Sequence, residues 1–212
     1  MTRSLCLPTL ALACILLCVA CEEKKEPQKG TFTDTRDGKI YKTVKIGEQI
    51  WLAENLNYEA EGECFNNDPA NCLKYGRLYD WHAALNICPK SWHLPSDEEW
   101  QTLVDFAGGK EVAGKNLKTK GGWNPSYTDK PGKYVAGNGT DIYGFSALPG
   151  GSSAPEGFYD GNYGVGYYGN WWSSTEQPRY YPHCCTMSYE SNKVGIGTGS
   201  MSDLFSVRCV KD

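Results

Sequence analysis

The first 21 residues constrain this chain more than any other segment, because they decide the compartment in which the rest must fold. Arg3 is followed by an uncharged, mostly apolar run over Leu5–Ala20, which is the pattern of a secretory signal. The run is shorter than the roughly 20 apolar residues that a membrane-spanning helix needs. It ends at Cys21, directly before the charged stretch EEKKEPQK. We therefore expect the protein to be exported.

The end of this run resembles the lipobox of bacterial lipoproteins, in which a cysteine sulfur receives a diacylglycerol and its freed amine is acylated, for example with palmitate. Small Ala20 precedes Cys21, although Cys18 stands three positions before it, where a branched aliphatic residue is usual. A plain cleaved signal and an uncleaved anchor are the alternatives. We expect a signal peptide over 1–20 and a lipid anchor on Cys21 that holds the protein at the bacterial outer membrane.

A flexible tether is expected over 21–30, because Glu22–Gly30 mixes both signs of charge and has no apolar residue. Fully extended, it would reach about 30 Å. The folded domain is then expected over 31–212. Six cysteines lie within it: Cys64, Cys72, Cys88, Cys184, Cys185 and Cys209. An even number of cysteines in an exported protein favours disulfides, but six allow many pairings.

The charge balance excludes nucleic acid as a partner. Lys and Arg number 21 against 25 Asp and Glu, so the formal net charge is -4 and there is no broad basic field. Aromatic residues make up 13% of the chain and Gly numbers 24. This composition is typical of a folded domain that is rich in turns.

Hydrophobic spacing predicts a hairpin and two helices. Strands are expected over 39–46, with Ile40, Val44 and Ile46 on one face, and over 49–52. A first helix is expected over 76–87, where Leu78, Trp81 and Leu85 recur at helical spacing. A second helix is expected after Ser96, which forms a capping box with Glu99, and it should end at Gly108–Gly109.

The second half of the sequence has the pattern of a long loop region followed by short strands. Glycine and aromatic residues dominate 110–172, apart from a short helix over 112–117. Strands are expected over 171–173, 180–188, 193–196 and 205–210, and the last of them should alternate Phe205, Val207 and Cys209 with Ser206 and Arg208. The pattern predicts an α+β fold in which two helices pack on short antiparallel strands and the first and last strands pair.

Several sequence strings, in order, resemble the Fibrobacter succinogenes major paralogous domain family. They are FTDTRDGKIYKTVKIGEQIWLAENLNY, YGRLYDW, CPKSWHLPSDEEWQTLV, GTDIYGFSALPGG, WWSSTE and SVRCVKD. More distantly, LPSDEEW, the Gly-rich region and the terminal VRCV resemble formylglycine-generating sulfatase-modifying proteins. The resemblance implies a C-type-lectin-like fold at a bacterial surface and no established activity.

The same resemblance bears on the disulfides. C-type-lectin-like domains commonly tie a helix near the start to the last strand, which implies a bond between Cys88 and Cys209. Cys64 and Cys72 stand eight positions apart in the loop ECFNNDPANC and would close it locally. Such a bridge constrains the unfolded chain by about 2–3 kcal/mol.

His183, Cys184 and Cys185 are harder to assign. The two adjacent thiols could form a vicinal disulfide, lie buried as free thiols, or include one that pairs elsewhere. The alternative is a metal or redox site, because thiolate and imidazole suit copper or zinc. We expect no cofactor. The acidic run Asp97–Glu99 is explained by helix capping, and neither His82 nor His93 has a recognisable partner in the sequence.

The most suggestive surface feature is the segment EGFYDGNYGVGYYGNWW, in which tyrosines are separated by glycines. Its candidate ligand-binding residues are Tyr159, Tyr163, Tyr167 and Tyr168, because tyrosine offers a large apolar face at low entropy cost. The alternative is that these rings pack on one another. Trp171 and Trp172 are expected in the core.

Two functions from different classes follow. The first is a lipid-anchored surface domain without catalytic activity that binds glycan, cell-wall material or a surface protein through the aromatic loop. The alternative is an enzyme of the formylglycine-generating type, or another copper or thiol oxidase, that uses Cys184 and Cys185. A stable envelope module with no ligand is a third possibility.

Overall fold

The computed structural model of the chain describes residues 27–127, 133–135, 137–154, 157–158, 164–177 and 181–212. The expected signal peptide, the expected lipid anchor at Cys21 and most of the expected tether lie outside these residues. Within the described ranges, no helix combines the length and the hydropathy that crossing a bilayer requires.

Strands outnumber helices in the described residues. The helices are α1 (Pro69–Tyr75), α2 (Trp81–Ala84), α3 (Asp97–Phe106) and α4 (Ala113–Leu117), and a 3-10 turn spans Phe65–Asn67. The strands are β1 (Gln28–Thr33), β2 (Ile40–Ile46), β3 (Gln49–Leu52), β4 (Leu78–Tyr79), β5 (Trp92–His93), β6 (Ser126–Tyr127), β7 (Tyr134–Val135), β8 (Ser153–Ala154), β9 (Gly157–Phe158), β10 (Tyr168–Gln177), β11 (Tyr181–Ser188), β12 (Val194–Thr198), β13 (Phe205–Ser206) and β14 (Val210–Lys211). The expected α+β class is confirmed.

Two five-stranded sheets form the framework. The first has the order β1-β2-β3-β14-β5 and the second has the order β12-β11-β10-β13-β4. The chain ends pair as expected, because β14 in the first sheet joins the β2–β3 hairpin through Val210 opposite Trp51. All strand pairs in these sheets are antiparallel except β10 with β13. Two small hairpins, β6–β7 and β8–β9, lie in the region between α4 and β10.

The hairpin β2–β3 forms as predicted, but Ile40 is not part of the core. Val44 and Ile46 pack on the core under α3, whereas Ile40 is 68% exposed. Tyr41, on the opposite face of β2, is buried in a second core cluster instead. The start of β2 is therefore buried on the face that carries Tyr41, and its end is buried on the face that carries Val44 and Ile46. Alternation of apolar residues along the strand does not predict this change of buried face.

The tether prediction is wrong for its last residues. Gln28, Lys29 and Gly30 belong to β1 and pair with Lys45, Val44 and Thr43 of β2. Their side chains are exposed, and the strand forms because backbone hydrogen bonding to β2 needs no apolar side chain. The first sheet therefore begins before residue 31.

The predicted first helix over 76–87 is wrong in extent. Leu78 and Tyr79 form β4, which pairs with β13, and only the turn α2 is helical. Asp80 separates the two elements, because its side chain accepts a hydrogen bond from the Ala83 amide and so starts a new helix. Leu85, which the helical spacing placed in the core, is 38% exposed.

Another helix, α1, lies in the segment that the sequence analysis treated as a loop. Asp68 caps its start by accepting a hydrogen bond from the Ala70 amide, and Pro69 occupies its first turn. Gly76 ends it with φ of 80°, and a Cβ there would lie 2.7 Å from the Cβ of Asn55. The start and stop signals were present in the sequence, since Asp-Pro before a helix and Gly after it are typical.

The second predicted helix is confirmed as α3. Both halves of the capping box form, because Ser96 Oγ accepts from the Glu99 amide and Glu99 accepts from the Ser96 amide. Trp100 and Leu103 are fully buried in the core cluster, which contains strand residues of both sheets. The short helix expected over 112–117 is present as α4.

The central strands β10 and β11 are buried on both faces. Trp171 lies opposite Cys185, and Trp172 lies opposite Cys184. Because consecutive strand residues point to opposite faces, the first pair packs in the core beneath α3 and the second pair packs in the core beside α2. Each cluster thus combines a large indole with a small thiol across the strands.

The predicted alternation over 205–210 is wrong. Ser206 and Arg208 are fully buried, as are their neighbours Val207 and Cys209. The segment leaves the second sheet after β13 and joins the first sheet at β14, so it runs between the two sheets and is covered on every side. Its polar side chains therefore lie inside the protein.

Candidate functional site

Four of the six domain cysteines form the two disulfides that the sequence analysis expected. Cys64 is bonded to Cys72, which closes the loop that carries α1. Cys88 is bonded to Cys209 across 121 positions and joins the end of the α2 region to the segment before β14. The second bond therefore ties the segment after α2 to the C-terminal segment of the domain.

Cys184 and Cys185 are free and buried. They occupy consecutive positions of β11 and so enter separate core clusters, which leaves no vicinal disulfide between them. Burial raises the pKa of Cys184 to about 12 and raises the pKa of Cys185 well above its usual value. Both thiols are therefore protonated at neutral pH, whereas metal binding and nucleophilic attack need the thiolate.

A copper or zinc site at these residues does not fit this geometry. The two sulfurs lie on opposite faces of one strand and cannot bind the same ion. Across the described ranges, no group of three or more His, Cys, Asp or Glu side chains is placed to hold a metal ion.

His183 contacts Asp97 and not the neighbouring thiols. Its Nδ1 is hydrogen-bonded to the Asp97 carboxylate, which also accepts a hydrogen bond from Ser173 Oγ at 2.6 Å. The carboxylate thus stands between the imidazole and the hydroxyl. In a nucleophilic triad the imidazole stands in the middle, so this order does not activate Ser173. The three residues instead join the start of α3 to β10 and β11.

His93, for which the sequence indicated no partner, lies between two carboxylates. Its Nε2 is 2.8 Å from Glu99 Oε1 and its Nδ1 is 2.7 Å from Asp212 Oδ1. The pKa of His93 is raised, because the bonds to Asp212 and Glu99 outweigh the opposing effect of burial. Glu99 therefore has two functions, since its other oxygen completes the capping box of α3.

Arg208 lies at the centre of the domain. Its guanidinium donates hydrogen bonds to the carbonyls of Leu52, Phe145 and Ser146 and to Oδ1 of Asn55. Asn55 Oδ1 also accepts a hydrogen bond from Trp171 Nε1 at 2.9 Å. Burial lowers the pKa of Arg208 to about 9, so it is charged at neutral pH.

Residues of this network come from several of the sequence strings that carry the family resemblance. WLAENLNY supplies Asn55, GTDIYGFSALPGG supplies Phe145, WWSSTE supplies Trp171 and SVRCVKD supplies Arg208. The four residues meet around one buried guanidinium. These four strings therefore contribute to one core arrangement.

Two of the four candidate tyrosines, Tyr159 and Tyr163, lie outside the described residues. Tyr167 and Tyr168 are half-buried at the start of β10. Both rings stand edge-on to Tyr189, with centroids 5.0 Å and 6.5 Å from it. The interplanar angles are 89° and 74°. Trp171 and Trp172 are fully buried, as expected.

A carboxylate belongs to the same surface. Tyr189 donates a hydrogen bond of 2.7 Å to Glu190 Oε1, and Glu190 is exposed. This bond raises the pKa of Tyr189 to about 12, with burial adding to the effect. We call Tyr167, Tyr168, Tyr189 and Glu190 the tyrosine patch. Tyr189 and Glu190 were not predicted from the sequence, because they follow β11 and are distant from the loop in the chain.

Two open clefts lie elsewhere on the described surface. One, of about 490 Å³, lies beside the Cys64–Cys72 loop and includes Asn57, Glu59 and Arg77 in its lining. Arg77 is held there by Glu59, with 2.9 Å between Nη2 and Oε1. The other cleft, of about 350 Å³, lies at the edge of the first sheet and is lined by three lysines among other residues.

Comparison with known protein families gives a match over most of this chain. The family described as the Fibrobacter succinogenes major domain matches residues 44–211, which run from β2 to β14 and include strands of both five-stranded sheets. No curated protein and no solved structure matches the chain. Since the match covers most of the sequence and includes Asn55, Phe145, Trp171 and Arg208, the chain belongs to the Fibrobacter succinogenes major domain family.

Proposed function

We propose that this protein is a lipid-anchored domain of the bacterial surface that binds glycan through the tyrosine patch and catalyses no reaction. Tyr159 and Tyr163 are candidates on the evidence of the sequence alone. The anchor is Cys21, and the location is the outer membrane. The lipobox-like sequence around Cys21 supports the anchor.

The observation that carries the proposal is the partial exposure of the Tyr167 and Tyr168 rings, which Tyr189 holds in place. Their rings are half-exposed, and Tyr189 supports both from the protein side through edge-on contacts. An aromatic face that is already held in place loses little conformational entropy when a ligand covers it. The patch thus offers apolar area at a low ordering cost.

The chemistry of the patch suits a sugar. A pyranose ring presents C–H groups on its faces and hydroxyl groups at its edge. Tyrosine faces can cover the C–H groups, while the Glu190 carboxylate and the tyrosine hydroxyls can bind the hydroxyl groups. Glu190 is exposed, and only its Oε1 is committed to Tyr189 by the bond described above.

The catalytic alternative has less support. Glu99 completes the capping box of α3 and contacts His93, and Asp97 contacts His183 and Ser173. The thiols of Cys184 and Cys185 are buried, and their pKa values are raised. A C-type-lectin-like fold is part of the proposal. The Cys88–Cys209 bond and the pairing of β14 with β3 are the features that support it.

Binding of the full-length protein, purified in non-ionic detergent, to insoluble cellulose, chitin, xylan and peptidoglycan tests the proposal. Tyr168→Ala and Glu190→Gln should each weaken binding to the preferred polymer about tenfold, equivalent to about 1.4 kcal/mol. The matched control is Tyr181→Ala, because Tyr181 is 56% exposed and lies at the other end of the β10–β11 hairpin.

Circular dichroism and thermal unfolding establish that each variant is folded. Equal binding by Tyr168→Ala and the wild type, or an equal loss in Tyr181→Ala, would exclude the tyrosine patch as the site. Capture of an envelope protein without binding to any polymer would replace glycan by a protein partner.

A further inference from the structure

The lysine-lined cleft stands out in a chain whose formal net charge is -4. Lys29 of β1, Lys42 of β2 and Lys120, which follows α4, line it together. The other lining residues are Gly30, Thr43, Ala53, Asp141, Gly144 and Ser146. We call these nine residues the basic cleft. Its volume of about 350 Å³ is at the lower end of the range of small-ligand sites.

The three lysines are available to a ligand. All are exposed, and within the described part of the chain neither Lys29 nor Lys120 has an ion-pair partner. Lys42 Nζ lies 3.5 Å from Oε1 of Glu54, and these two side chains are 76% and 39% exposed. An exposed pair of this kind holds its lysine only weakly.

The carboxylate inside the cleft is already bound to its own loop. Asp141 Oδ1 accepts a hydrogen bond from the Ser146 amide, and Oδ2 accepts one from Ser146 Oγ, both at 2.8 Å. These bonds hold the turn in which Asp141 and Ser146 have φ of 46° and 56°, values that residues other than glycine rarely adopt. Asp141 therefore shapes one wall of the cleft, and no lysine lies within ion-pair distance of it in the described structure.

A fourth cation lies beneath the same wall. The Arg208 guanidinium binds the carbonyls of Phe145 and Ser146 from inside, and in the described ranges it has neutral oxygens as its acceptors. No carboxylate therefore neutralises its charge directly. Arg208 and the three lysines together carry four positive charges, whereas Glu54 and Asp141 supply two negative charges. The net charge around the cleft is therefore positive.

From this arrangement we infer that the basic cleft binds the carboxylate-bearing sugar of an acidic polysaccharide. Lys29, Lys42 and Lys120 would surround the carboxylate, because an ammonium group supplies several donors and a full charge. The hydroxyl groups of Thr43 and Ser146 stand among the lysines and suit the sugar hydroxyls. This site shares no residue with the tyrosine patch and does not depend on it.

The shape favours a sugar over the phosphate surface of a membrane. The cleft is concave, has the buried Ala53 in its lining, and is flanked by Gly30 and Gly144, which lack side chains. A single ring can enter such a space, whereas a planar layer of head groups would contact only its rim. We therefore assign the cleft to a discrete sugar acid.

Polygalacturonate and its fully methyl-esterified form are the matched probes, because they share one sugar backbone and the ester replaces each carboxylate with an uncharged methyl ester. The full-length protein in non-ionic detergent should bind polygalacturonate saturably and the ester at least tenfold more weakly. Raising the salt from about 50 mM to about 500 mM should weaken polygalacturonate binding by a similar factor, since exposed charges are screened.

The double variant Lys29→Gln/Lys120→Gln should lose at least tenfold in affinity for polygalacturonate. Its control, Lys90→Gln/Lys211→Gln, removes the same charge from exposed lysines outside the cleft and should bind like the wild type. Tyr168→Ala should also bind polygalacturonate normally, which separates this site from the tyrosine patch.

Three results would overturn the inference. One is an equal loss in the two double lysine variants, because binding would then follow net charge alone. A second is equal binding of the ester, or no saturable binding of polygalacturonate at low salt. The third is direct binding of phosphatidylglycerol-doped micelles that is tighter than polygalacturonate binding and is lost in Lys29→Gln/Lys120→Gln, which would assign the cleft to phosphate head groups.

Discussion

Replacing Arg208 with methionine should lower the free energy of unfolding by about 3–5 kcal/mol. Arg208 is fully buried, and its guanidinium donates hydrogen bonds to three backbone carbonyls and to Asn55. Methionine fills much of the volume but donates no hydrogen bond. The carbonyls would lose the donors that Arg208 supplies to them inside the protein.

The magnitude follows from those lost bonds. Each buried polar group left without a partner costs about 1–3 kcal/mol, so three carbonyls would cost several kcal/mol. Part of this loss in the free energy of unfolding is offset, because a buried charge is also removed. Arg208 binds neutral oxygens, so its removal leaves no buried carboxylate without a partner. The net loss is a large share of the about 5–15 kcal/mol that stabilises a typical domain.

Urea unfolding, followed by tryptophan fluorescence, measures the effect. With a slope of about 2–3 kcal/mol per molar urea, the midpoint should fall by about 1–2 M. Arg208→Lys should fall between the wild type and Arg208→Met, because it keeps the charge but cannot reach all four acceptors. The exposed Lys90→Met is the control and should leave the midpoint unchanged. A midpoint for Arg208→Met equal to or above that of the wild type would refute this reasoning.

Three further predictions concern histidine, thiol and helix-capping groups. The pKa of His93 is raised in the folded protein, so its contacts with Glu99 and Asp212 add stability that is fully present below about pH 6.5. This stability is lost as the pH rises through the folded-state pKa of His93. His93→Gln should therefore flatten the pH profile of the melting temperature above about pH 6.5. An unchanged profile would contradict this assignment. Cys184 and Cys185 should not react with a thiol reagent in the native protein, because both are buried, whereas two thiols should react in urea. Rapid labelling of the native protein would contradict this prediction. Ser96→Ala should reduce stability by about 1 kcal/mol in the same urea assay, because α3 loses half of its capping box, and a change below about 0.3 kcal/mol would contradict the capping role.

Local signals in the sequence predicted those elements that depend on neighbouring residues. The hairpin β2–β3 follows from alternation around Gly47–Glu48, and α3 follows from the Ser96 capping box and its apolar stripe. Both lie where the sequence placed them. Such features need only hydrogen bonds and side-chain contacts between residues a few positions apart, so their sequence pattern is sufficient.

The errors occurred where distant segments decide the outcome. Leu78 and Tyr79 have helical spacing with their neighbours, yet they form β4 because β13 offers strand partners from more than a hundred positions away. Ser206 and Arg208 look solvent-facing by alternation, yet the chain crosses between two sheets there. No local pattern records that a second sheet will cover the polar side of a strand.

The candidate sites divide in the same way. The sequence alone identified the tyrosine-rich segment from its composition and the family from ordered strings of residues. The short spacing of Cys64 and Cys72 favoured their bond, whereas the Cys88–Cys209 bond was implied by the family resemblance. Only the tertiary structure brought Tyr189 and Glu190 beside Tyr167 and placed Cys184 and Cys185 on opposite faces of a strand.

The basic cleft shows the physical reason most plainly. Lys29, Lys42 and Lys120 form no pattern in the sequence, since they stand at widely separated positions of the chain. Pairing of β1 with β2 and the loop after α4 bring them around a single space. Charge density at a surface is a sum over distances in three dimensions, so the sequence determines which charges exist and the fold decides where they act together.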